Sequence, residues 1–201
     1  MKNLNTYIHK KLTIVHRSYS CAPKTKDELK EIIYKRLKDD ENTDLNDIDV
    51  SSITDMSSLF DDLDPHNIDI SQWDVSNVQD MYWMFYGCKN FNSDLSNWDV
   101  SNVQDMRSMF KYCENFNSDL SHWDVSNVKD MTFMFYECTN FNSDLSKWDV
   151  SKVKDMYAMF YNCQDFNSDL NGWDVYKVED MRNMFEKCVS MKELPDWWIE
   201  K

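Results

Sequence analysis

The stretch WDVSNVQDMYWMFYGCKNFNSDLSN at residues 73–97 decides the architecture, because it returns with few changes at Trp98, Trp123, Trp148 and Trp173, always at the same offset. A weaker copy begins at Ile48, so six units run 48–72, 73–97, 98–122, 123–147, 148–172 and 173–197. The shared pattern is W-D-V-S-x-V-x-D-M-x-x-M-F-x-x-C-x-x-F-N-S-D-L-S-x, with no insertion or deletion until the last unit. Equal units of this kind stack as equal coils, since one coil alone exposes an apolar face that only its neighbours can bury.

Two periods are visible inside a unit. Val103, Met106, Met109, Phe110 and Cys113 fall at the spacing of one helix face, with Asp105 placed to cap the N-terminus. Trp98 and Val100 alternate as in an extended stretch. The expected fold is therefore an α/β repeat solenoid: a leucine-rich-repeat-like stack of six coils, each with one short parallel strand and one short helix. At the far end Leu194-Pro195-Asp196 breaks the pattern, and Trp198 stands one full repeat after Trp173, in register to plug the last coil.

The repeat resembles the BspA-like leucine-rich-repeat surface proteins, which occur in tandem in bacterial surface proteins and lipoproteins and in some phage-encoded proteins. The motif carrying that resemblance spans residues 48 to about 197. It implies a binding or adhesion scaffold with no catalytic residues to carry over, and association with a surface or a virion. Surface members carry an export signal, whereas here the apolar run Leu12-Thr13-Ile14-Val15 is cut off by His16 and Arg17. Read alone, the sequence places the chain in the cytoplasm of the producing cell, or on a particle assembled there, without a membrane span.

Residues 1–47 do not repeat and carry a different charge. Met1 to Lys38 hold ten Lys or Arg against three acids, a balance of +7, and the rest holds twelve against 33, or −21, giving the net −14 of the 201-residue chain. Asn3 to Leu12 is compatible with a short helix. Thr25-Lys26-Asp27-Glu28 is a capping box opening a helix with Leu29, Ile32, Ile33 and Leu37 on one face. The expected organisation is a basic helical N-terminal cap over 1–47, which closes the open apolar end of a stack, the repeats over 48–197, and a short C-terminal end at 198–201. Anchoring to an anionic partner is the alternative role for the basic segment.

Composition excludes several classes. Average usage would give roughly 14 glycines, but only Gly87 and Gly172 occur, so phosphate cradles and dinucleotide turns have nothing to be built from. Five of the six cysteines, Cys88, Cys113, Cys138, Cys163 and Cys188, form one column and read as small buried thiols rather than disulfides or metal ligands. The Met and Trp columns read as core. Three aspartate columns run through the repeats: Asp49 to Asp174, Asp55 to Asp180 and Asp69 to Asp169. Unit charges about 5 Å apart in water repel by about 0.8 kcal/mol, so turn and cap bonds to backbone N–H groups are expected to offset the repulsion, with calcium binding as the alternative. Every Ser, Asp or Asn that could serve in catalysis belongs to a repeated column, while an active site needs a unique set; no catalytic residue, resident metal or cofactor is expected, and no small-molecule substrate.

Function is expected at positions that vary between copies. These hold Tyr82, Trp83, Tyr86, Arg107, Lys111, Phe133, Tyr136, Tyr157 and Tyr161. Rings interspersed with cations have the composition of interface hot spots, although rings that merely cover gaps between coils would look the same in sequence. The reading is a non-catalytic protein-binding scaffold that grips another protein through this patch or through the fixed strand side lined by Ser and Asp, with the ends of the stack as candidate oligomerisation surfaces and direct nucleic-acid binding disfavoured by the −21 repeat region. The alternative is an acidic decoy whose carboxylate rows occupy the basic groove of a nucleic-acid-binding protein.

Overall fold

In a computed structural model of the chain, residues 18–198 are described apart from 41 and 62; the expected helix at Asn3 to Leu12 lies outside them. The α/β solenoid, with a strand and a helix in every coil, is not what the chain forms. Among the described residues the one helix is α1, Lys26–Asp39, and in place of strands there are isolated parallel bridges, such as Asp80 with Asp105 and Asp105 with Asp130. The leucine-rich-repeat comparison falls with it.

Each repeat is wound from turns. In the coil 98–122 the amides of Val103, Met109, Cys113 and Phe116 donate to the carbonyls three positions back, of Val100, Met106, Phe110 and Cys113, at 2.9–3.2 Å. Both ends of each of these four turns are apolar, so each such corner turns two side chains inward. Runs of apolar residues spaced by three therefore arise from consecutive turns as readily as from a helix, which is why the helical expectation failed. Ser108 and Tyr112 also have φ of 53° and 67°, as do their equivalents Phe133 and Glu137 at 57° and 63°. A right-handed helix cannot pass through such left-handed residues.

The remaining amides hold coil to coil. Those of Met106, Ser108, Phe110 and Tyr112 donate to the carbonyls of Asp130, Thr132, Met134 and Tyr136 at 3.3, 2.9, 3.0 and 2.8 Å. Amides that point along the stack thus alternate with amides that close turns within a coil. Two residues before Met106 the direction reverses, with Gln104 donating back to Gln79 and Lys129 to Gln104.

In the core of the stack the side chains form ladders. Phe60, Phe85, Phe110, Phe135 and Phe160 stack at 5.1–5.6 Å, and Phe91, Phe116, Phe141 and Phe166 at 5.8–5.9 Å. Tryptophans face one another in parallel, and each indole N–H donates to a buried carbonyl one coil back: Trp98 to Ile70, Trp123 to Leu95, Trp148 to Leu120. A buried N–H left unpaired would cost about 1–3 kcal/mol, so this bond fixes the ring as well as its burial. Trp198 does not take this place. Its backbone keeps the turn, donating to Pro195, but the ring of Trp197 stacks on Trp173 at 6.4 Å and donates to Leu170 at 2.7 Å. Trp198 instead packs edge-on against Phe185.

Helix α1 covers the first coil. Thr25 accepts the Glu28 amide at 3.2 Å, and the Glu28 carboxylate accepts the Lys24 amide at 2.7 Å, so the expected capping box forms with its return bond one residue earlier. Leu29 and Ile33 are fully buried, and Ile32 and Leu37 pack beside them. Its basic side chains are used locally: Lys26 reaches Asp55 at 2.8 Å, Lys30 the Ser58 carbonyl at 2.8 Å, and Arg36 holds Asp47 through two bonds of 2.6 and 2.9 Å.

Candidate functional site

The turn-wound coil delivers its variable positions to one side. The residues that follow Asp80, Asp105, Asp130 and Asp155 lie where amides alternate between closing a turn and reaching the next coil, so the side chains at 82, 83 and 86 recur directly above their equivalents in the next coil. All nine residues expected at the site come together there, with the rings in contact. Tyr82 stacks on Trp83 at 4.7 Å and Trp83 meets Tyr86 at 5.1 Å. Phe133 meets Tyr136 at 5.4 Å and Tyr157 at 5.1 Å, and Tyr136 stacks on Tyr161 at 4.7 Å. Tyr112 joins the two groups, edge-on to Tyr86 and Tyr136 at 5.6 Å each.

Cations are set into this lattice. Arg107 lies 4.9 Å over the Tyr82 ring, and the Lys111 ammonium is 4.1 Å from the centre of Phe133, 4.7 Å from Tyr136 and 5.2 Å from Tyr112. Such contacts contribute about 0.5–2 kcal/mol each, more as water is excluded. Burial lowers the Lys111 pKa and, with the neighbouring Tyr112 and Tyr161 phenols, raises that of Tyr136. Arg182 over Tyr157 and Lys187 over Tyr161 extend the pattern to the last coil. The expected set omitted Tyr112, Arg182 and Lys187. Tyr112 shares a variable column with Gly87, Glu137, Asn162 and Lys187, and that variation was the available signal.

The surface is corrugated. At one left-handed position the coils carry Trp83, Ser108, Phe133 and Ala158 in turn, so large rings alternate with small residues that are almost fully buried, Ser108 at 4% and Ala158 at 2% exposure. The rings themselves are half-buried. Part of each ring is packed against its neighbours and part is exposed.

The aspartate columns are occupied by the fold. Every aspartate in the three columns accepts the amide two positions on through Oδ1, at 2.8–3.1 Å. Asp105 does so with Arg107, as a turn rather than as the cap of a helix. The Ser121 amide holds Asp119 below the usual carboxylate range, and the Ser146 amide does the same for Asp144. Asp80 goes the other way, raised by burial and by the charges of Asp105 and Asp55. Among the described residues no three His, Cys, Asp or Glu side chains converge as metal ligands. The thiols of Cys113, Cys138, Cys163 and Cys188 each donate to a phenylalanine carbonyl one coil back, at 2.8–2.9 Å, and burial pushes the Cys188 pKa up to about 12. No helix among the described residues is long and apolar enough to cross a membrane.

A family model described as "Mycoplasma protein of unknown function, DUF285" matches residues 28–138 and 115–201. No curated protein and no solved structure matches the chain.

Proposed function

The chain belongs to the DUF285 family of unknown function, and from that premise we propose that it is a non-catalytic scaffold that binds another protein through the lattice of Tyr82, Trp83, Tyr86, Arg107, Lys111, Phe133, Tyr136, Tyr157 and Tyr161. The observation that carries this reading is the Lys111 ammonium enclosed by three rings, with Arg107 over a fourth, on a surface otherwise built of turns. Such rings are held in place before a partner arrives, so little conformational entropy is lost on binding. Truncating a central anchor of an interface typically costs about 2 kcal/mol or more. Surface display or adhesion is what the BspA-like resemblance adds. The acidic-decoy reading is less well supported, because the carboxylate rows already cap backbone amides and need no ligand to account for them.

The test is affinity capture by immobilised chain, comparing the wild type with Phe133→Ala/Tyr136→Ala at about 50 and 200 mM salt. Under this reading one partner is retained at both salt concentrations by the wild type and lost by the variant, with both proteins shown to be folded by near-UV circular dichroism. Capture that survives ring truncation and collapses at the higher salt would point to the carboxylate rows instead.

A further inference from the structure

The two ends of the stack are finished differently. At the first coil α1 lays Leu29 and Ile33 over the core and Lys30 on the Ser58 carbonyl. At the coil 173–197 the ladder faces an open cavity of about 710 Å³, lined by Met181, Phe185, Leu194 and Trp198 among others.

The backbone at that end carries a row of donors. In the coil before it the amides of Met156, Ala158, Phe160 and Asn162 donate to the carbonyls of Asp180, Arg182, Met184 and Glu186 at 2.8–3.0 Å. The equivalent amides of Met181, Asn183, Phe185 and Lys187 have no hydrogen-bond acceptor among the described residues. The last coil also exchanges polar for apolar at outward positions: Tyr176, 92% exposed, stands where the other coils carry Ser51 to Ser151, and Leu194, 49% exposed, where they carry Asp69 to Asp169.

Four donors on one edge are met by water in the free chain and form a template for a row of acceptors. Pairing this four-donor row with the same row of a second copy would set donor against donor. Pairing it with the first coil of a second copy is blocked by α1. What fits is what every inner coil already receives, a row of main-chain carbonyls over an apolar floor. We propose that the face formed by Met181, Asn183, Phe185, Lys187, Leu194 and Trp198 docks an additional coil of this repeat type, supplied by another protein whose coil lacks a covering helix. Main-chain bonds then give affinity and the apolar floor gives register, as when a strand is added to an open sheet edge. This surface adjoins the aromatic lattice at Lys187, whose side chain lies over Tyr161, but it uses the backbone amides and apolar floor of the last coil rather than the rings.

The probe is a synthetic peptide with the sequence of residues 148–172, whose own carbonyls at Asp155, Tyr157, Met159 and Tyr161 accept the amides of Met131, Phe133, Phe135 and Glu137 within the chain at 2.8–3.0 Å. Amide hydrogen exchange is followed by NMR on the full chain. In the free chain the amides of Met181, Asn183, Phe185 and Lys187 should exchange far faster than those of Met156, Ala158, Phe160 and Asn162. Saturating peptide should slow the first set about tenfold or more, a scrambled peptide should not, Leu194→Asp should weaken the effect, and Phe133→Ala/Tyr136→Ala should leave it intact. Three results would each overturn the proposal: four amides already protected in the free dilute chain, equal protection by the scrambled peptide, or protection that follows the concentration of the chain itself, which would mean same-face pairing.

Discussion

Substituting Gly87 by Ala separates a coil wound from turns from a coil containing a helix, because the two predict opposite signs. Gly87 has φ of 73°, its amide donates to Lys111 at 2.8 Å, and a Cβ added there would meet nothing within 4 Å. Steric clash with the surroundings is therefore absent, and the backbone alone sets the effect. The left-handed region costs an L-residue about 1–2 kcal/mol, while Ala narrows the unfolded ensemble and returns about 0.4–1 kcal/mol. Gly87→Ala should destabilise the chain by about 0.5–1 kcal/mol. In a helix interior the same change would stabilise by about 0.8–1 kcal/mol. Urea unfolding followed by tryptophan fluorescence reads the difference as a midpoint lowered by a few tenths of a molar. Glu137, in the same column at φ 63°, supplies the reverse comparison: Glu137→Gly should be more stable than Glu137→Ala, since both lose the bond from Asn162 and only the backbone differs. A Gly87→Ala protein more stable than the wild type would refute the left-handed turn.

Other outcomes follow from the ladders. Trp123→Phe removes the 3.0 Å indole bond to the buried Leu95 carbonyl, which then keeps only the Trp98 amide. The lost bond should cost about 0.5–1.5 kcal/mol before any packing loss, a fall in Tm of about 2–4 °C per kcal/mol for a chain of this length. A thiol reagent at about pH 8, below the ordinary thiol pKa, should find the partly exposed Cys21 in the native chain and leave the five buried ladder thiols untouched, whereas denaturant without reductant should release all six; fewer than five free thiols then would contradict the ladder. Acid should destabilise the fold. The Arg36 guanidinium beside Asp47, the Ser51 hydroxyl at Asp49 and Arg182 at Asp180 depress those folded-state pKa values, as backbone amides do for Asp119 and Asp144. Their stabilisation is present above the unfolded value of about 3.9 and lost as pH falls through the lower folded values. Asp80 is raised, so its charge opposes folding at neutral pH and that penalty disappears in acid. Asp80→Asn keeps an acceptor for the Tyr82 amide and should raise stability at about pH 7 by a few tenths to about 1 kcal/mol, with no gain at about pH 3; urea midpoints at the two values decide it.

Much of this was legible in the sequence because the repeat multiplies each signal. A column such as Cys88 to Cys188 or Phe85 to Phe185 can only be core if copies stack, and the helix opened by Thr25 and Glu28 carries both its cap and its apolar face. What failed was the local conformation of the coil. Met106, Met109 and Phe110 are spaced as a helix would space them, and neither hydrophobic period nor propensity marks Ser108 or Tyr112 as left-handed; the bonds that hold those residues go to Thr132 and Tyr136, in the next coil. The same non-local bonding explains Trp197. The repeat spacing favours Trp198, but the turn at Pro195 and the Leu170 carbonyl let the preceding ring take the ladder site. Nine members of the aromatic lattice were legible from variation among copies, while Arg182 and Lys187 over the last tyrosines were not in the expected set. The joining of the lattice through Tyr112 was not legible, since that depends on which side chains a left-handed turn sets beside one another.

The measurement that bears most directly on the turn-wound coil, and so on how the rings reach one face, is the scalar coupling across hydrogen bonds in the labelled protein. The Phe110 amide nitrogen should couple to the carbonyl carbon of Met134, as the 3.0 Å bond between coils requires. Coupling of Phe110 to Met106 instead, the i to i−4 bond of an α-helix, would contradict the structure and restore a helix in every repeat.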